Sequence, residues 1–267
     1  MQSFTIFVIS LPSAIDRRKA IEKQLTSMGV KYEIVPGIFG NDERVIKRYD
    51  DKLSIAERGK SLTIGERGCA LAHISVYERI IRERIPLALI MEDDMVLPAD
   101  FMTLVEIEAN KVERKWDWLS FDYRYVGWSF LYNWYIATLK TVLNRPTFFF
   151  YAVLKFFYIT PLSIFEGLRN YFARGFSVGI GARYFYRPLF NAGAYLVTLE
   201  GVNKLVPFTN PLRFSADEIP NIARRRINFK FYGYVPLIVK QNTIDFETDA
   251  GRTDDNWEEI FNNRRDK

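Results

Sequence analysis

Three consecutive carboxylates follow directly on a short apolar run, and this juxtaposition constrains what the chain can fold into. The run, Leu87–Met91, directly follows a proline and is typical of a strand buried on both faces of a sheet. Glu92, Asp93 and Asp94 come next. Because side chains alternate along an extended chain, Glu92 and Asp94 are expected on one side and Asp93 on the other.

Two like charges in a half-buried site are unfavourable unless a cation or a proton neutralises one of them. Mn²⁺ and Mg²⁺ prefer oxygen ligands, so Glu92 and Asp94 are predicted to hold such an ion, which would then bridge a diphosphate. Asp94 is thereby also a candidate catalytic residue. The alternative is a solvated acidic turn at the end of a strand.

Composition and charge limit the class of protein. A chain of 267 residues with 48% apolar and 16% aromatic residues is long enough for one large domain or two small ones with an extensive core. The net charge of +5 suits an anionic substrate or a lipid surface but is too weak to predict nucleic-acid binding. One cysteine and one histidine exclude a disulfide framework and a multi-histidine metal site, and they indicate a reducing, cytoplasmic compartment.

The first part of the chain is predicted to form a βαβ unit, with strands over residues 4–9 and 30–35 and a helix that begins after Ser13, its expected N-cap. No glycine occurs in the first 28 residues, so the dinucleotide-binding fingerprint is absent. Ligands of open α/β sheets bind at the carboxyl ends of strands. The residues expected to hold a nucleotide are therefore Leu11, Pro12, Ser13, Arg17 and Arg18. They could equally form a turn followed by a solvated basic face.

The longest helix is predicted over residues 63–84, where Thr63 and Glu66 have the spacing of a capping box. One apolar stripe runs along it through Ala70, Ile74, Tyr77 and Ile81. Glu66, Cys69 and His73 share the edge of that stripe. A lone histidine there is more often a satisfied boundary residue than a catalyst, and both interpretations of His73 are kept open.

Two glycines are candidates for close approach to a ligand or to another backbone. Gly68 lies near the start of the long helix, and Gly193 lies inside a strand predicted over residues 190–199. A further strand is predicted over residues 119–125, from which Asp122 would point at the cleft.

The segment 128–176 has the most unusual composition of the chain. It is crowded with aromatic side chains and contains one acid, Glu166, together with several lysines and arginines. Its uninterrupted apolar stretches are shorter than the roughly 20 residues that span a bilayer. Amphipathic helices lying in a membrane interface fit this composition, and so does a helical subdomain that packs on the sheet.

Three blocks of the sequence together resemble glycosyltransferase family 25. The first is Gly65-Glu-Arg-Gly-Cys-Ala-Leu-Ala-His73, and the second is Ile85-Pro-Leu-Ala-Leu-Ile-Met-Glu-Asp-Asp94. The third, Asn191-Ala-Gly-Ala-Tyr-Leu-Val197, is similar to the later glycine-centred strand of that family. The family contains bacterial lipopolysaccharide and lipooligosaccharide glycosyltransferases, which are related to collagen galactosyltransferases. One departure is Ala72, since family members commonly have a small hydroxyl residue before the histidine.

The resemblance implies a fold and a chemistry. The fold is a GT-A-like nucleotide-sugar-binding α/β sheet flanked by helices, formed by residues 1–127 and 177–267, with 128–176 as an aromatic-rich helical insert. The chemistry is an inverting transfer of a hexose, usually galactose, from a UDP-sugar to a lipid-linked oligosaccharide with the help of Mn²⁺ or Mg²⁺. Glu92 to Asp94 stand where the DxD-like motif of the family stands. The donor is then expected against Arg67, Gly68, His73, Asp93 and Gly193, besides the loop after the first strand.

An inverting transfer needs one base that takes a proton from the acceptor hydroxyl. Asp217 is the first candidate for that base and Glu218 the second, both following a possible N-cap at Ser215. The alternative is that these acids complement the dipole of a helix. An enzyme of this kind is expected in the cytoplasm, peripheral on the inner face of the bacterial membrane.

Two other functions use the same features. A nucleotidyltransferase could place a similar acidic strand end on a similar sheet, and a non-catalytic, membrane-associated protein could have kept the fold.

Overall fold

The protein is described here from a computed structural model, which covers residues 3–111, 113–123, 180–185 and 188–242. It also covers the isolated positions 150, 153, 161, 164, 165, 168 and 169. The segment 128–176 otherwise lies outside the described residues, as does the tail from residue 243. The division into a catalytic domain and a helical insert therefore stays a prediction.

The described chain consists of both strands and helices. The strands are β1 Thr5–Ser10, β2 Glu33–Pro36, β3 Leu87–Glu92, β4 Met95–Val96, β5 Trp118–Ser120, β6 Gly181–Tyr184, β7 Ala194–Thr198, β8 Phe231–Val235 and β9 Lys240–Gln241. The helices are α1 Ile15–Ser27, α2 Glu43–Arg48, α3 Asp51–Arg58, α4 Ile64–Arg82, α5 Phe101–Ala109, α6 Leu199–Leu205 and α7 Glu218–Arg226. A 3₁₀ turn, Val206–Phe208, follows α6.

Within the described residues, seven strands form one sheet in the order β2-β1-β3-β7-β5-β8-β6. Strands β1, β2, β3, β5 and β8 point in one direction, whereas β6 and β7 run against them. The carboxyl ends of the co-directional strands therefore share one edge of the sheet, together with the beginning of β7. The predicted α/β class, a sheet flanked by helices, is confirmed.

The two faces of the sheet are covered by different helices. On one face, α1 and α5 pack against alternate apolar residues of the strands, such as Val8 and Leu89. On the other face, α4, α6 and α7 pack against the residues in between, such as Phe7 and Ile90. Since successive strand residues point to opposite faces, a run that is apolar throughout serves both cores.

The predicted elements are largely confirmed, with shifts at their ends. The capping box of α4 is present, because Thr63 accepts from the Glu66 amide and the Glu66 carboxylate accepts from the Thr63 amide. The second strand starts later than predicted, at Glu33. Ser13 is not the N-cap of α1: that position is Ala14 and has no side-chain cap. A tight turn causes this shift, since the amide of Ala14 donates to the Leu11 carbonyl at 2.9 Å.

Gly68 is in close contact with another part of the backbone. A Cβ atom at this position would lie 2.3 Å from the Ile38 carbonyl oxygen and 2.8 Å from the Gly40 amide nitrogen. The helix α4 can therefore pack on the segment 38–40 only where it has no side chain. Of the two partners predicted for Gly68, the structure places another backbone there, and contact with a donor stays a prediction.

Within the described ranges, none of the helices combines the length and the apolar character that crossing a bilayer requires.

We expect Gly68→Ala to lower the free energy of unfolding by about 1–3 kcal/mol, because the added methyl group must displace backbone that side-chain rotation cannot move. Urea denaturation measures this change. Arg82→Ala, at an exposed position of the same helix, is the control and should stay within about 0.5 kcal/mol of the wild type. Equal losses in the two variants would contradict the tight packing of α4 on residues 38–40.

Candidate active site

The polar residues singled out in the sequence converge at the carboxyl edge of the sheet. Glu92 ends β3, and Asp93 and Asp94 form the turn into β4. Asp122 follows β5, and Gly193 immediately precedes β7. This convergence follows from strand direction alone, because β3 and β5 end at the same edge at which the antiparallel β7 begins.

Glu92 faces the helix α4. Its Oε1 atom lies 3.1 Å from Nε2 of His73 and accepts a bond of 3.4 Å from the thiol of Cys69. Burial alone would raise the pKa of Glu92. The hydrogen bond and the electrostatic attraction of His73, the hydrogen bond from Cys69 and the positive charge of Arg17 outweigh burial and hold this pKa below its ordinary value. Glu92 is thus kept ionised.

His73 is fully buried and joins Glu92 to a pair of tyrosines. Its Nδ1 atom lies 2.7 Å from the Tyr195 hydroxyl, which lies 3.0 Å from the Tyr77 hydroxyl. The Tyr195 ring stacks on Trp118 with a centroid distance of 3.6 Å. Both nitrogens of His73 therefore have partners inside the protein, which agrees with the satisfied interpretation. Contact of His73 with a donor stays a prediction.

Asp93 points to the opposite side from Glu92, as the alternation of the chain predicts. Arg17 on α1 forms a salt bridge of 3.2 Å with it, in which both side chains are largely buried. The neighbouring Arg18 holds the loop after β1, since it donates to the carbonyl oxygens of Leu11 and Pro12 at 2.7 and 3.1 Å. Leu11, Pro12 and Ser13 thus form a fixed loop at the same edge of the sheet, beside the acids.

Asp94 is buried and only partly satisfied. Its Oδ2 atom accepts a bond of 2.7 Å from the amide group of Gln241. Its Oδ1 atom is buried and has no hydrogen-bond partner among the described residues. Burial, and next the negative charge of Glu92, raise the pKa of Asp94 to about 7.

Asp122 explains the glycine at position 193. Its Oδ2 atom accepts the Gly193 amide at 2.9 Å, and a Cβ at Gly193 would lie 2.4 Å from that oxygen. The close approach predicted for Gly193 is therefore made to a carboxylate, and approach to a donor sugar stays a prediction. Burial raises the pKa of Asp122 to about 7, with a further contribution from the charges of Glu92 and Asp94.

The carboxylates of Glu92, Asp93, Asp94 and Asp122 form an acidic corner at this edge of the sheet. Asp217 reaches this acidic corner from a distant part of the chain. Its carboxylate accepts hydrogen bonds from the Ser215 hydroxyl at 2.6 Å and from the backbone amide of Asn191 at 3.4 Å. The side chain of Asn191 in turn donates to the Asp122 carbonyl at 3.1 Å. Asn191 has a φ of 81°, a conformation that asparagine tolerates better than most residues. One residue thus connects the candidate base to the acidic corner.

Glu218 has a different environment from its neighbour. It accepts a bond of 2.5 Å from Arg58 and another of 3.0 Å from the amide of Ser215. The helix α7 begins at Glu218 with Asp217 as its N-cap, so the prediction of Ser215 as N-cap is wrong. The hydroxyl of Ser215 is bonded to Asp217 instead. Glu218 therefore lies in the first turn of α7, which agrees with the alternative that it complements the helix dipole, and it is also paired with the Arg58 guanidinium.

Two groups of basic residues lie apart from these acids. Arg67 stacks over the Tyr49 ring at 4.0 Å and donates to the Leu62 carbonyl. Residues 224–226 lie in the last turn of α7, which runs for about 13 Å from its start near the acidic corner. The contact of Arg67 with a nucleotide stays a prediction that these contacts do not support.

The corner collects oxygen ligands of the kind that hard divalent cations prefer. Four carboxylates, those of Glu92, Asp93, Asp94 and Asp122, interact there, and Arg17 supplies one positive charge to them. The orphaned Oδ1 atom of Asp94 and the raised pKa values of Asp94 and Asp122 indicate uncompensated negative charge. Mn²⁺ or Mg²⁺ would compensate it with the oxygen ligands that these ions prefer.

Sequence reasoning missed several residues that support the site. Tyr195 orients His73, Asn191 connects Asp122 to Asp217, and Gln241 binds Asp94. A buried tyrosine in an apolar strand has no sequence signal that separates it from ordinary core residues. The signal at Asn191 was its place directly before a small-residue strand, where a turn with positive φ is common.

We expect the stability of the metal-free protein to fall as pH rises from about 4 to about 7. In this window Asp122 is protonated in the folded state and ionised in the unfolded state, so raising the pH favours unfolding. Asp122→Asn removes this group, and its stability should fall less between about pH 5 and about pH 7.5. Urea denaturation with a chelator present measures both slopes, and the exposed Glu106→Gln is the control. Equal slopes for wild type and Asp122→Asn would contradict the raised pKa.

Comparison with known proteins identifies relatives of this chain. The human protein "Inactive glycosyltransferase 25 family member 3" is 30% identical over 132 residues, which cover 46% of this chain and 21% of the relative. Procollagen galactosyltransferase 1-A of Xenopus laevis is 27% identical over 130 residues, again 46% of this chain and 21% of the relative. Lipooligosaccharide biosynthesis protein lic2B of Haemophilus influenzae is 30% identical over 93 residues, 34% of each chain.

The chain matches about a fifth of the length of the human and Xenopus relatives and about a third of the Haemophilus relative. A solved glycosyltransferase involved in the glycosylation of the major capsid of PBCV-1 aligns over 97% of this chain and 98% of its own, with a TM-score of 0.40 and 8% identity. That similarity is too low to bear on function. The sequence profile described as "Glycosyltransferase family 25 (LPS biosynthesis protein)" matches residues 3–220. Since this match covers most of the chain, the protein belongs to glycosyltransferase family 25.

Proposed function

We propose that the protein is a metal-dependent, inverting glycosyltransferase that moves a hexose from a UDP-sugar to an oligosaccharide acceptor. The observation that supports this proposal most directly is the acidic corner. Buried carboxylates with uncompensated charge lie at the sheet edge where α/β proteins bind their ligands, beside the loop of Leu11, Pro12 and Ser13. Family membership supplies the reaction class.

The divalent ion would be held by Glu92 and Asp94, and when bound it would stabilise the charge of the departing nucleoside diphosphate. Glu92 is suited to this role because its pKa is lowered, so that it presents a negative charge. Arg17 fixes Asp93 by a buried salt bridge on the side opposite to Glu92. The loop after β1 is held rigid by Arg18, so it can receive a nucleotide without first becoming ordered.

Asp217 is the proposed general base. Its two observed bonds come from neutral donors, a hydroxyl and a backbone amide. Neutral donors orient a carboxylate without the competition of a bound cation, so a proton can still be accepted. Glu218 is less suited, because protonation would remove the negative charge that its salt bridge with Arg58 requires. In the transfer, Asp217 would remove the proton from the acceptor hydroxyl as that oxygen attacks the anomeric carbon.

The finer identity of the substrates rests on the relatives. We propose galactose as the sugar and a lipid-linked oligosaccharide as the acceptor, in line with the names of the Xenopus and Haemophilus proteins. A lipid-linked acceptor would place the enzyme at the cytoplasmic face of a bacterial membrane. The aromatic and basic segment 128–176 is proposed to contact that membrane or the acceptor, and flotation with anionic vesicles tests the contact.

A second candidate function is a non-catalytic one. The human relative is described as inactive, so family membership alone does not establish activity. The acidic corner of this chain favours activity, and the measurement of UDP release separates the two candidates.

We expect the purified protein to release UDP from a UDP-hexose in the presence of Mn²⁺. This release should stop when the ion is chelated. Asp94→Asn should lower this rate by about 100-fold or more, because the charge that holds the ion is lost. A coupled assay of UDP over a panel of UDP-hexoses measures the rate and ranks the sugars.

Glu106→Gln, an exposed acid on α5, is the control and should keep the wild-type rate. Metal-independent UDP release, or release that survives in Asp94→Asn, would contradict the proposed ion site. Release of pyrophosphate from a nucleoside triphosphate would indicate a nucleotidyltransferase. The absence of any nucleotide binding in a titration would indicate the non-catalytic candidate.

We expect Asp217→Asn to lower the turnover of UDP-hexose by roughly 100-fold, the contribution typical of a general base, with UDP affinity unchanged. Glu218→Gln loses the partner of Arg58, so it should lower the unfolding midpoint while changing turnover by less than about 10-fold. Steady-state kinetics and calorimetric titration with UDP measure the two effects. A larger loss of turnover in Glu218→Gln than in Asp217→Asn would reverse the assignment of the base.

A further inference from the structure

The chain contains one cysteine and one histidine, and the structure brings both to the same carboxylate. Cys69 and His73 are four residues apart on α4, which places them on one face of the helix. Both are directed at Glu92 on the adjacent strand β3. The one thiol and the one imidazole of the sequence thus meet at one acid of the candidate active site.

The geometry of these three groups is compact enough to surround one ion. The thiol sulfur, the Nε2 atom and the carboxylate oxygen lie within 4.8 Å of one another. The carboxylate oxygen is 3.1 Å from the nitrogen and 3.4 Å from the sulfur. Tetrahedral zinc at its usual bond lengths places its ligand atoms roughly 3.3–3.6 Å apart. Small side-chain shifts would therefore complete the coordination.

The tyrosines behind His73 can adapt to an ion. Nε2 of His73 faces Glu92, and Nδ1 faces the Tyr195 hydroxyl. Coordination through Nε2 needs the tautomer in which Nδ1 carries the proton and donates to Tyr195. A hydroxyl both donates and accepts, so Tyr195 can then turn its own proton to Tyr77. Nδ1 of His73 and the hydroxyl oxygens of both tyrosines therefore stay within hydrogen-bond distance of a partner.

We propose that Cys69, His73 and Glu92 form a binding site for a thiophilic divalent ion, represented by Zn²⁺, with water as the fourth ligand. Cys69 and Glu92 are each partly exposed, which leaves a side open for that water. On binding, the Cys69 thiol releases its proton to solvent and coordinates as the thiolate. The proposed Mn²⁺ or Mg²⁺ site at Glu92 and Asp94, called the oxygen site below, has oxygen ligands only. The two sites have Glu92 in common.

One consequence rests on the proposed function. Because Glu92 is also a proposed ligand of the Mn²⁺ or Mg²⁺ ion, a zinc ion at Cys69 and His73 would withdraw that carboxylate and inhibit the transfer. The site itself does not depend on transferase activity and is tested by binding alone.

The test is a titration of the untagged, full-length, metal-free protein with Co²⁺, which substitutes for Zn²⁺ and reports its ligands in its absorption spectrum. We expect one Co²⁺ per chain and a thiolate-to-cobalt charge-transfer band, which Zn²⁺ removes and excess Mg²⁺ does not. Since the chain has one cysteine, such a band arises from Cys69.

Three variants probe the proposed ligands. Cys69→Ser should lose the band, and His73→Gln should weaken Co²⁺ binding by at least about 10-fold. Tyr195→Phe keeps the ring but removes the hydroxyl behind His73, and it should weaken binding by about 10- to 100-fold, as the loss of an outer hydrogen-bond partner typically does. Asp94→Asn is the matched control at the oxygen site and should keep the band.

Several outcomes would overturn the proposal. The first is a folded wild-type protein without a charge-transfer band in excess Co²⁺, and the second is unchanged affinity in both His73→Gln and Tyr195→Phe. The third is Co²⁺ binding that depends on Asp94 and not on Cys69. Circular dichroism checks the fold of each variant, and Zn²⁺ competition in the wild type decides the question if His73→Gln fails to fold. Loss of UDP release alone would count against the proposed function and leave this site intact.

Discussion

The confinement of several carboxylates to one buried corner is the constraint on which the arrangement of the site depends. Each acid there has a different means of compensation. Arg17 neutralises Asp93, His73 and Cys69 donate to Glu92, Gln241 donates to Asp94, and the backbone of Gly193 donates to Asp122. These donors come from α1, α4, the start of β7 and β9, so the corner also ties separate elements together.

The compensation is unequal, and this inequality has chemical meaning. The pKa of Glu92 lies below its ordinary value because its donors outweigh its burial. The pKa values of Asp94 and Asp122 are raised to about 7, because burial and neighbouring negative charge outweigh the hydrogen bonds that these carboxylates accept. Titratable groups whose environments separate their pKa values in this way are typical of functional sites. One carboxylate with a lowered pKa thus lies beside two with raised pKa values.

The residues behind Glu92 make its position rigid. His73 is enclosed between Glu92 and Tyr195, and Tyr195 is stacked on Trp118 and bonded to Tyr77. Burying these rings contributes the apolar contact of an ordinary core, while their polar atoms are directed into one chain of hydrogen bonds. A core of this kind fixes a charged side chain more tightly than a loop can.

The fold class and the position of the acids were predictable because both depend on local patterns. Alternation along β3 placed Glu92 and Asp93 on opposite sides, and strand direction placed them at the ligand-binding edge. The roles of individual residues were less predictable. The neighbouring acids Asp217 and Glu218 have the same local pattern, yet one contacts Asn191 and the other Arg58. Likewise, the closeness of Gly193 to Asp122 spans 71 residues of sequence.

By itself, the sequence determined which segments form strands and helices and which edge of the sheet carries the negative charge, because hydrophobic period and chain direction are properties of neighbouring residues. Tertiary structure alone decided the partner of each charge. It directed His73 and Cys69 to Glu92, Gln241 to Asp94 and Arg17 to Asp93. Such pairings depend on where distant segments meet in space, and the free energy of a buried charge is set by those few contacts rather than by the residues beside it in the chain.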